Sequence, residues 1–568
     1  MKMRLDNRRT PRRISLGFAR VLLVAGAAGG LASCSVLYDL GADQCNIDED
    51  CTALGELFVG KVCQANVCVD PGGCRTNADC IDDPTTFGGN EFSGEPAICR
   101  EHTCIPLKTS ECPLVLPIRE EGATELLRGD NPVILGGFAQ IPATSTIGPG
   151  TRNYDLALTE LEEQVGGLPG GSGGVRPTVM VVCQSATEDN AVLDAAIDHL
   201  ADDLRVPAVV SALSSANLQY VFSRKGREAG MFFMSTEDAD GLLTLLPDDN
   251  LIWHMLPGGK ALGASYAPLL TRTLTFLDLS QQARVAMVVA SDIRLLADMF
   301  DAATQSPESG GISFNDMNVT QNLGAGLYRE VQVPSILQAP DDPLLDEIAD
   351  LVAFAPNVVI APTAFEFLTT MIPGIERSWP SGTPRPFYIL SPYHFNQPTR
   401  MQTLLDEFPD VRTRLVGLNA AAAANRELYD EYERAFRRYD QDNWVPDVEN
   451  YYDAIYYTLY AGARASTSGA DFALGMGRLL SGSVQYGVGR QDLVNGLVDA
   501  FFARPMTLNG TLGPPNFDPS TGARQAPASA WCVEAGAPPV FIPDVLRYDT
   551  TDNTMQGTMP PTCIPGGF

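Results

Sequence analysis

The sequence predicts an α/β protein built of two doubly wound parallel-sheet lobes and preceded by a small disulfide-rich module. Two patterns and a length argue for it. Most of the 13 cysteines fall between residues 45 and 104, in two units that share their outer spacings and differ in the middle loop. From about residue 130 on, short continuous apolar runs alternate with amphipathic stretches, the pattern of buried parallel strands joined by crossover helices. These runs are too many for one small sheet, and 568 residues exceed what a single core accommodates.

The first element is an export signal. Lys2, Arg4, Arg8, Arg9, Arg12, Arg13 and Arg20 form a basic head, followed by an apolar run from Val21 to Ala28 that is too short to span a bilayer. Leu31-Ala32-Ser33-Cys34 resembles the lipobox of bacterial lipoproteins, which implies cleavage after residue 33 and acylation of Cys34. Several acyl chains together anchor stably where one does not. Arg12-Arg13 hints at twin-arginine export, but Ser15-Leu16 matches that motif poorly. No later segment has eighteen consecutive apolar residues, so the lipid is the expected membrane attachment. Ser35 favours the outer membrane under the enterobacterial sorting rule. A formal charge of -30 offers no basic stripe for phosphates and argues against nucleic acid as a partner.

Residues 34–111 form the Cys-rich module. Cys45-x5-Cys51-x11-Cys63-x4-Cys68 is followed by Cys74-x5-Cys80-x18-Cys99-x4-Cys104. An even count in a segment poor in aliphatics, exported to an oxidising compartment, reads as a disulfide framework, with three pairings open in each unit. Zinc is the rival, but no CxxC occurs, and Asp48, Glu49 and Asp50 lack the calcium-loop spacing. No metal or cofactor is expected. The module is similar to the short Cys-rich repeats of myxobacterial surface lipoproteins, which suggests a stalk, with a partner-binding module as the alternative.

The α/β elements follow in order. Strands are predicted at 133–138, 178–183, 207–213 and 231–234, with helices over 153–164 and 188–204. The stretch 258–277 reads as a helix closing the first series. Further strands are predicted at 284–290, 357–361, 386–390 and 414–418. The expected division is 112–282 for the first lobe and 283–418 for the second. Residues 419–530 return to the first lobe with a closing hairpin, and 531–568 form a strap. Gly170–Gly174 contains a formal G-x-S-x-G, but a glycine loop leads into it where a nucleophile elbow needs a strand.

These segments resemble the type I periplasmic binding proteins of the leucine/isoleucine/valine branch. The resemblance rests on several stretches in order. They are Arg152–Gln164 before Gly166-Gly167, Ala208–Asn217, Gly230–Ser235, Trp253–Pro257, Ala283–Asp292, Asn357–Ile360, Tyr451–Ala454 and Gly510–Gly522. It implies a hinged cleft that closes on a small polar solute of the amino acid, amide or short-peptide class. It also implies an ABC permease as partner and a monomeric receptor.

Candidate ligand residues lie where strands end. Ser214 and Ser215 follow one strand and precede a helix, where a hydroxyl could hold a carboxylate or simply cap the helix. Ser235, Glu237 and Asp238 occupy a loop that in relatives carries a ligand-contacting Thr; Ala239 stands there instead. The two acids could meet a cationic group or remain solvated. Across the cleft, Asp292, Phe365 and Tyr393 follow second-lobe strands, set for ligand contact or for ordinary packing.

Cys112 with Cys183, and Cys532 with Cys563, are further candidate pairs. The four histidines form no metal motif or triad, and no P-loop occurs, so no enzyme is expected. Two alternatives to transport remain open: a sensory or surface receptor with the same fold, and a structural domain whose cleft holds nothing.

Overall fold

The computed structural model describes residues 44–565, apart from 56–57, 59–60, 65, 70–73, 83–94, 119–122, 130, 143–146, 171–173, 186–188, 238–239, 280, 336–343, 396, 421–425, 446–447, 526–527 and 550–551. The export signal, Cys34 and Asp238 lie outside the described residues. The chain divides into two compact units at Pro71/Gly72.

The first unit holds the first cysteine repeat. A helix, Asp48–Ala53, is followed by a hairpin of β1 (Val62–Gln64) and β2 (Val67–Val69), in which Cys63 faces Cys68. Disulfides join Cys45 to Cys63 and Cys51 to Cys68. Among the described residues of this unit the buried ones are Cys45, Cys51 and Cys68, so disulfides form the core described there.

The second repeat opens the larger unit with the same plan. It has a helix (Asn77–Asp82), a hairpin of β3 (Ala97–Arg100) and β4 (Thr103–Pro106), and bonds Cys74–Cys99 and Cys80–Cys104. The sulfur clusters in both repeats offer no thiolate to a metal, because every cysteine in them is oxidised.

A stalk spanning 34–111 does not describe this second repeat, which is part of the first lobe. Ile81, Ile98 and Leu107 are buried in one cluster with Val179, Val181 and Leu200. Asn77 Nδ2 donates to Gly129 O at 3.0 Å, and Arg128 pairs with Asp82 at 2.7 Å. The two repeats differ at matching positions. The residue after the second cysteine is exposed Thr52 in one and buried Ile81 in the other.

The first lobe is built on β5 (Leu114–Leu116), β6 (Val133–Ala139), a short hairpin β7–β8 (Leu168–Pro169, Val175–Arg176), β9 (Thr178–Gln184), β10 (Ala208–Ser211), β11 (Phe232–Ser235) and β12 (Ile252–Pro257). With β22 (Ala523–Arg524) the sheet order is β22-β12-β11-β10-β6-β9-β5, parallel throughout except for β5. Cys112 is bonded to Cys183 at the end of β9. The helix Pro149–Val165 stops at Gly166, whose φ of 82° a residue with a side chain adopts at a cost. Against it packs Glu449–Gly462, a helix buried on nearly every side, whose Tyr452 and Tyr456 hydroxyls donate to buried Glu160.

The second lobe comprises β13 (Val285–Val289), a hairpin β14–β15 (Ser313–Phe314, Met317–Asn318), β16 (Tyr328–Gln332), β17 (Val358–Ala361), β18 (Phe387–Leu390) and β19 (Leu415–Ala420). The pair β20–β21 (Val484–Gly487, Met506–Asn509) lies outside both large sheets. The C-terminal residues then form β23 (Ala528–Glu534), β24 (Val540–Asp549) and β25 (Thr554–Gly557), which extend the order β16-β13-β17-β18-β19 by an antiparallel meander. The expected strap is thus a set of strands, with Cys532–Cys563 bonded at its end. Trp531 lies opposite Gly417, where a Cβ would come within 2.1 Å of the indole.

The helix predicted over 258–277 is two, Gly259–Ala264 and Tyr266–Phe276. Their Leu262, Tyr266, Leu269 and Leu270 are buried in the second lobe's core. The chain therefore crosses between lobes at Pro257–Gly259, ahead of the expected division at 282/283.

Candidate ligand-binding cleft

Gly241 follows the carboxyl end of β11, and Asp298 lies in the helix after β13. The Gly241 N–H donates to Asp298 Oδ2 at 2.7 Å, a hydrogen bond from one lobe to the other. Each sheet reverses strand order once, between β6 and β10 in the first lobe and between β13 and β17 in the second. Such switch points leave a crevice at the strand carboxyl ends, because successive helices depart to opposite faces. Ser214 lies just past β10, Asp292 just past β13, and Phe365 just past β17.

On the first lobe Ser214 is exposed, and its Oγ accepts from Asn217 N at 3.4 Å, which caps the helix Ser215–Val221. Ser235 is buried, and its Oγ accepts from Glu237 N at 3.2 Å. Asn450 Nδ2 donates to Thr236 O at 2.6 Å and ties this loop to the long buried helix. Glu237 is half-buried and accepts from the Tyr451 hydroxyl at 3.2 Å. Burial raises its pKa, and the tyrosine bond opposes that rise by favouring the carboxylate.

Tyr451 packs against Tyr154 with ring centroids 5.7 Å apart. Neither tyrosine was anticipated at the site. The signal was the adjacent pair Tyr451-Tyr452, since neighbouring helical residues point to different faces. Tyr451 reaches the loop at Glu237, whereas Tyr452 reaches Glu160 in the core.

On the second lobe Phe365 and Tyr393 are brought together edge to face, with centroids 6.4 Å apart. Arg400 stacks over Phe365 at 4.3 Å. Fully buried His394 fastens the two loops that carry this pair. Its Nδ1 accepts from Ser391 N at 3.2 Å, so the proton sits on Nε2, which donates to Ala364 O at 2.7 Å. Burial pushes its pKa down to about 4. Asp292 is exposed, and both its oxygens accept from Ser335 N, which closes the loop after β16 within its own lobe.

Two features lie away from the predicted ligand residues. A cavity of about 900 Å³ flanks the crossings, lined by Gly241, Gly258, Lys260, Asp298, Arg524 and Tyr548 among others. None of the described residues predicted to hold a ligand lines it. His254 on β12 is fully buried with neither ring nitrogen hydrogen-bonded among the described residues, and burial lowers its pKa to about 4.

No protein-family model matches the sequence, and no curated protein does. Solved structures do. A solute-binding protein of an ABC transporter from R. palustris, in complex with 4-hydroxybenzoate, is 11% identical, with 74% of this chain and 97% of that one covered and a TM-score of 0.51. A branched-chain amino acid transporter substrate-binding protein from Streptococcus pneumoniae, in complex with isoleucine, is 12% identical. There the coverage is 73% of this chain and 99% of that one, with a TM-score of 0.49. A putative branched-chain amino acid ABC transporter protein from Rhodospirillum rubrum is 15% identical, covers 71% and 97%, and has a TM-score of 0.45. The fold of the two lobes is that of the type I periplasmic binding proteins.

Proposed function

We propose that the chain is an extracytoplasmic solute receptor, anchored by acylated Cys34, that closes its two lobes on one small polar ligand. The observation that carries this reading is the pair of switch points. Each lobe has one, with hydroxyl and carboxyl groups past the strand ends of the first and an aromatic pair past those of the second. Ligand contacts shared by both lobes stabilise the closed state over the open one. The likeness to ABC-transporter solute-binding proteins supports delivery to a permease. Ser35 favours the outer membrane under the enterobacterial sorting rule.

The test is a thermal-shift screen of the full chain against amino acids, amides, short peptides and aromatic acids. A ligand that binds only the folded state raises the melting temperature with its concentration. A rise confined to one chemical class supports the receptor, and no rise from a cooperatively folded sample overturns it.

The separate Cys-rich unit before Pro71 favours a second reading, a sensory or surface receptor without a transporter. Co-purification of a permease and an ATPase with the chain from its own membrane decides for transport, and their absence decides for the receptor alone.

A further inference from the structure

We propose that the cavity beside the crossings is a second binding site, shaped for a neutral, hydroxyl-rich ligand of the saccharide class. It goes beyond the solute-receptor reading and stands whether or not the cleft is occupied.

At about 900 Å³ the cavity falls within the size range of small-molecule pockets, about 300–1,000 Å³. Both lobes line it. Thr244 and Arg524 come from the first, one past β11 and the other on β22. Lys260 lies on the helix whose Leu262 is buried in the second lobe's core, and Tyr548 on β24 of the second lobe's sheet. The space exists because Gly258, Gly259, Ala261, Ala264 and Ala523 bring little or no side chain to the wall.

Unpaired polar groups point to a ligand. Arg524 is 1% exposed, and its Nη2 donates to Gly513 O at 2.9 Å and to Pro514 O at 3.0 Å. Its Nε and Nη1 are buried with no partner among the described residues. Unpaired buried donors are unfavourable, and a ligand oxygen in the cavity, met by a small adjustment of the guanidinium, supplies the missing acceptor. At the mouth, Asn516 and Gln525 are exposed, and neither side chain is hydrogen-bonded among the described residues.

The balance of charge sets the class of ligand. The charged lining residues are two acids, Asp298 and Asp518, and two bases, Lys260 and Arg524. Both acids are already engaged, Asp298 with the Gly241 N–H and Arg294, and Asp518 with the Ser520 N–H and hydroxyl. An anion is repelled by the acids and a cation by the bases, whereas a neutral hydroxyl escapes both. A hydroxyl also donates and accepts at once, as the free amides of Asn516 and Gln525 do. The half-buried ring of Tyr548 offers an apolar surface to the C–H face of a pyranose.

The test is isothermal titration of the full chain with glucose, galactose, mannose and N-acetylglucosamine at millimolar concentration. Glucuronate and glucosamine serve as anionic and cationic counterparts. The variants are Lys260→Ala and the double substitution Asn516→Ala with Gln525→Ala, all at exposed positions. The expected result is one-site binding of a neutral sugar, with glucuronate and glucosamine about tenfold weaker or more. The double variant weakens the neutral sugar about tenfold or more without changing the melting temperature, and Lys260→Ala weakens it in the same direction. No binding by any neutral sugar, or tighter binding of either charged one, overturns the proposal. Binding that ignores both variants places the sugar elsewhere and overturns it too, while leaving the receptor reading of the cleft standing.

Discussion

Gly241 and Asp298 join the two lobes. The backbone N–H of one lobe donates to a carboxylate of the other that is 1% exposed and also paired with Arg294 at 2.7 Å. A Cβ at Gly241 would lie 2.9 Å from Asp298 Oδ2, so the glycine permits the approach.

Replacing Asp298 with alanine removes this charge-assisted bond and leaves the Gly241 N–H without its acceptor. A hydrogen bond to a charged group is worth about 1.5–3 kcal/mol. Asp298→Ala should lower the unfolding free energy by that order and enlarge the radius of gyration seen by small-angle scattering. An unchanged radius would show that the bond does not set the angle between lobes.

Two buried histidines give the fold a pH dependence of definite sign. His254 and His394 have folded-state pKa values near 4 against an ordinary 6.5, because burial disfavours the cation. The stability tied to their neutrality is therefore complete above pH 6.5 and is lost as pH falls from there toward 4. Each contributes up to roughly 3 kcal/mol over that window. Asp240 opposes the shift of His254, and half-buried Glu237 and buried Asp453, whose pKa values are raised, pull the other way. Comparing wild type with His254→Leu isolates one histidine. The variant should melt at or above wild type at neutral pH, having lost two unbonded buried nitrogens, and should lose less on acidification.

The second cysteine repeat should behave as part of the first lobe. Replacing Cys80 and Cys104 with alanine frees the segment that holds Ile81 and Ile98 in the lobe's core. The lobe should lose about 2–5 kcal/mol, read by calorimetry as a lower midpoint of the main transition. An unaltered main transition would return this repeat to the role of a separate stalk.

Gly417→Ala tests the C-terminal meander. A methyl group there meets the ring of Trp531, whose Nε1 donates to Leu418 O at 3.0 Å. Overpacking of this kind costs about 1–3 kcal/mol. Chemical denaturation should report it, and no loss would mean that β23 does not lie on β19.

Much of the fold was legible because buried parallel strands are continuous apolar runs. Val133–Ala139, Thr178–Gln184 and Val358–Ala361 declare themselves in that way. Strand β12 did not, because His254 interrupts Trp253 and Met255, and a polar residue in a buried run argues against a strand. Edge strand β16 was hidden too, since exposed Arg329 and Glu330 break its pattern. At the cleft, strand ends marked Ser214, Phe365 and Tyr393 as candidates. Tyr451 and Tyr154 come from helices distant in sequence from Glu237, and only the packing shows that they reach its loop.

The most direct measurement of the central claim, one solute held by both lobes, is the binding affinity of two variants, one from each side. Ser214→Ala removes a first-lobe hydroxyl and Phe365→Ala a second-lobe ring, with the ligand class that raises the melting temperature as titrant. The account predicts that each weakens binding about tenfold or more at unchanged stoichiometry. Binding that ignores either substitution would place the ligand on one lobe alone and contradict closure around a shared solute.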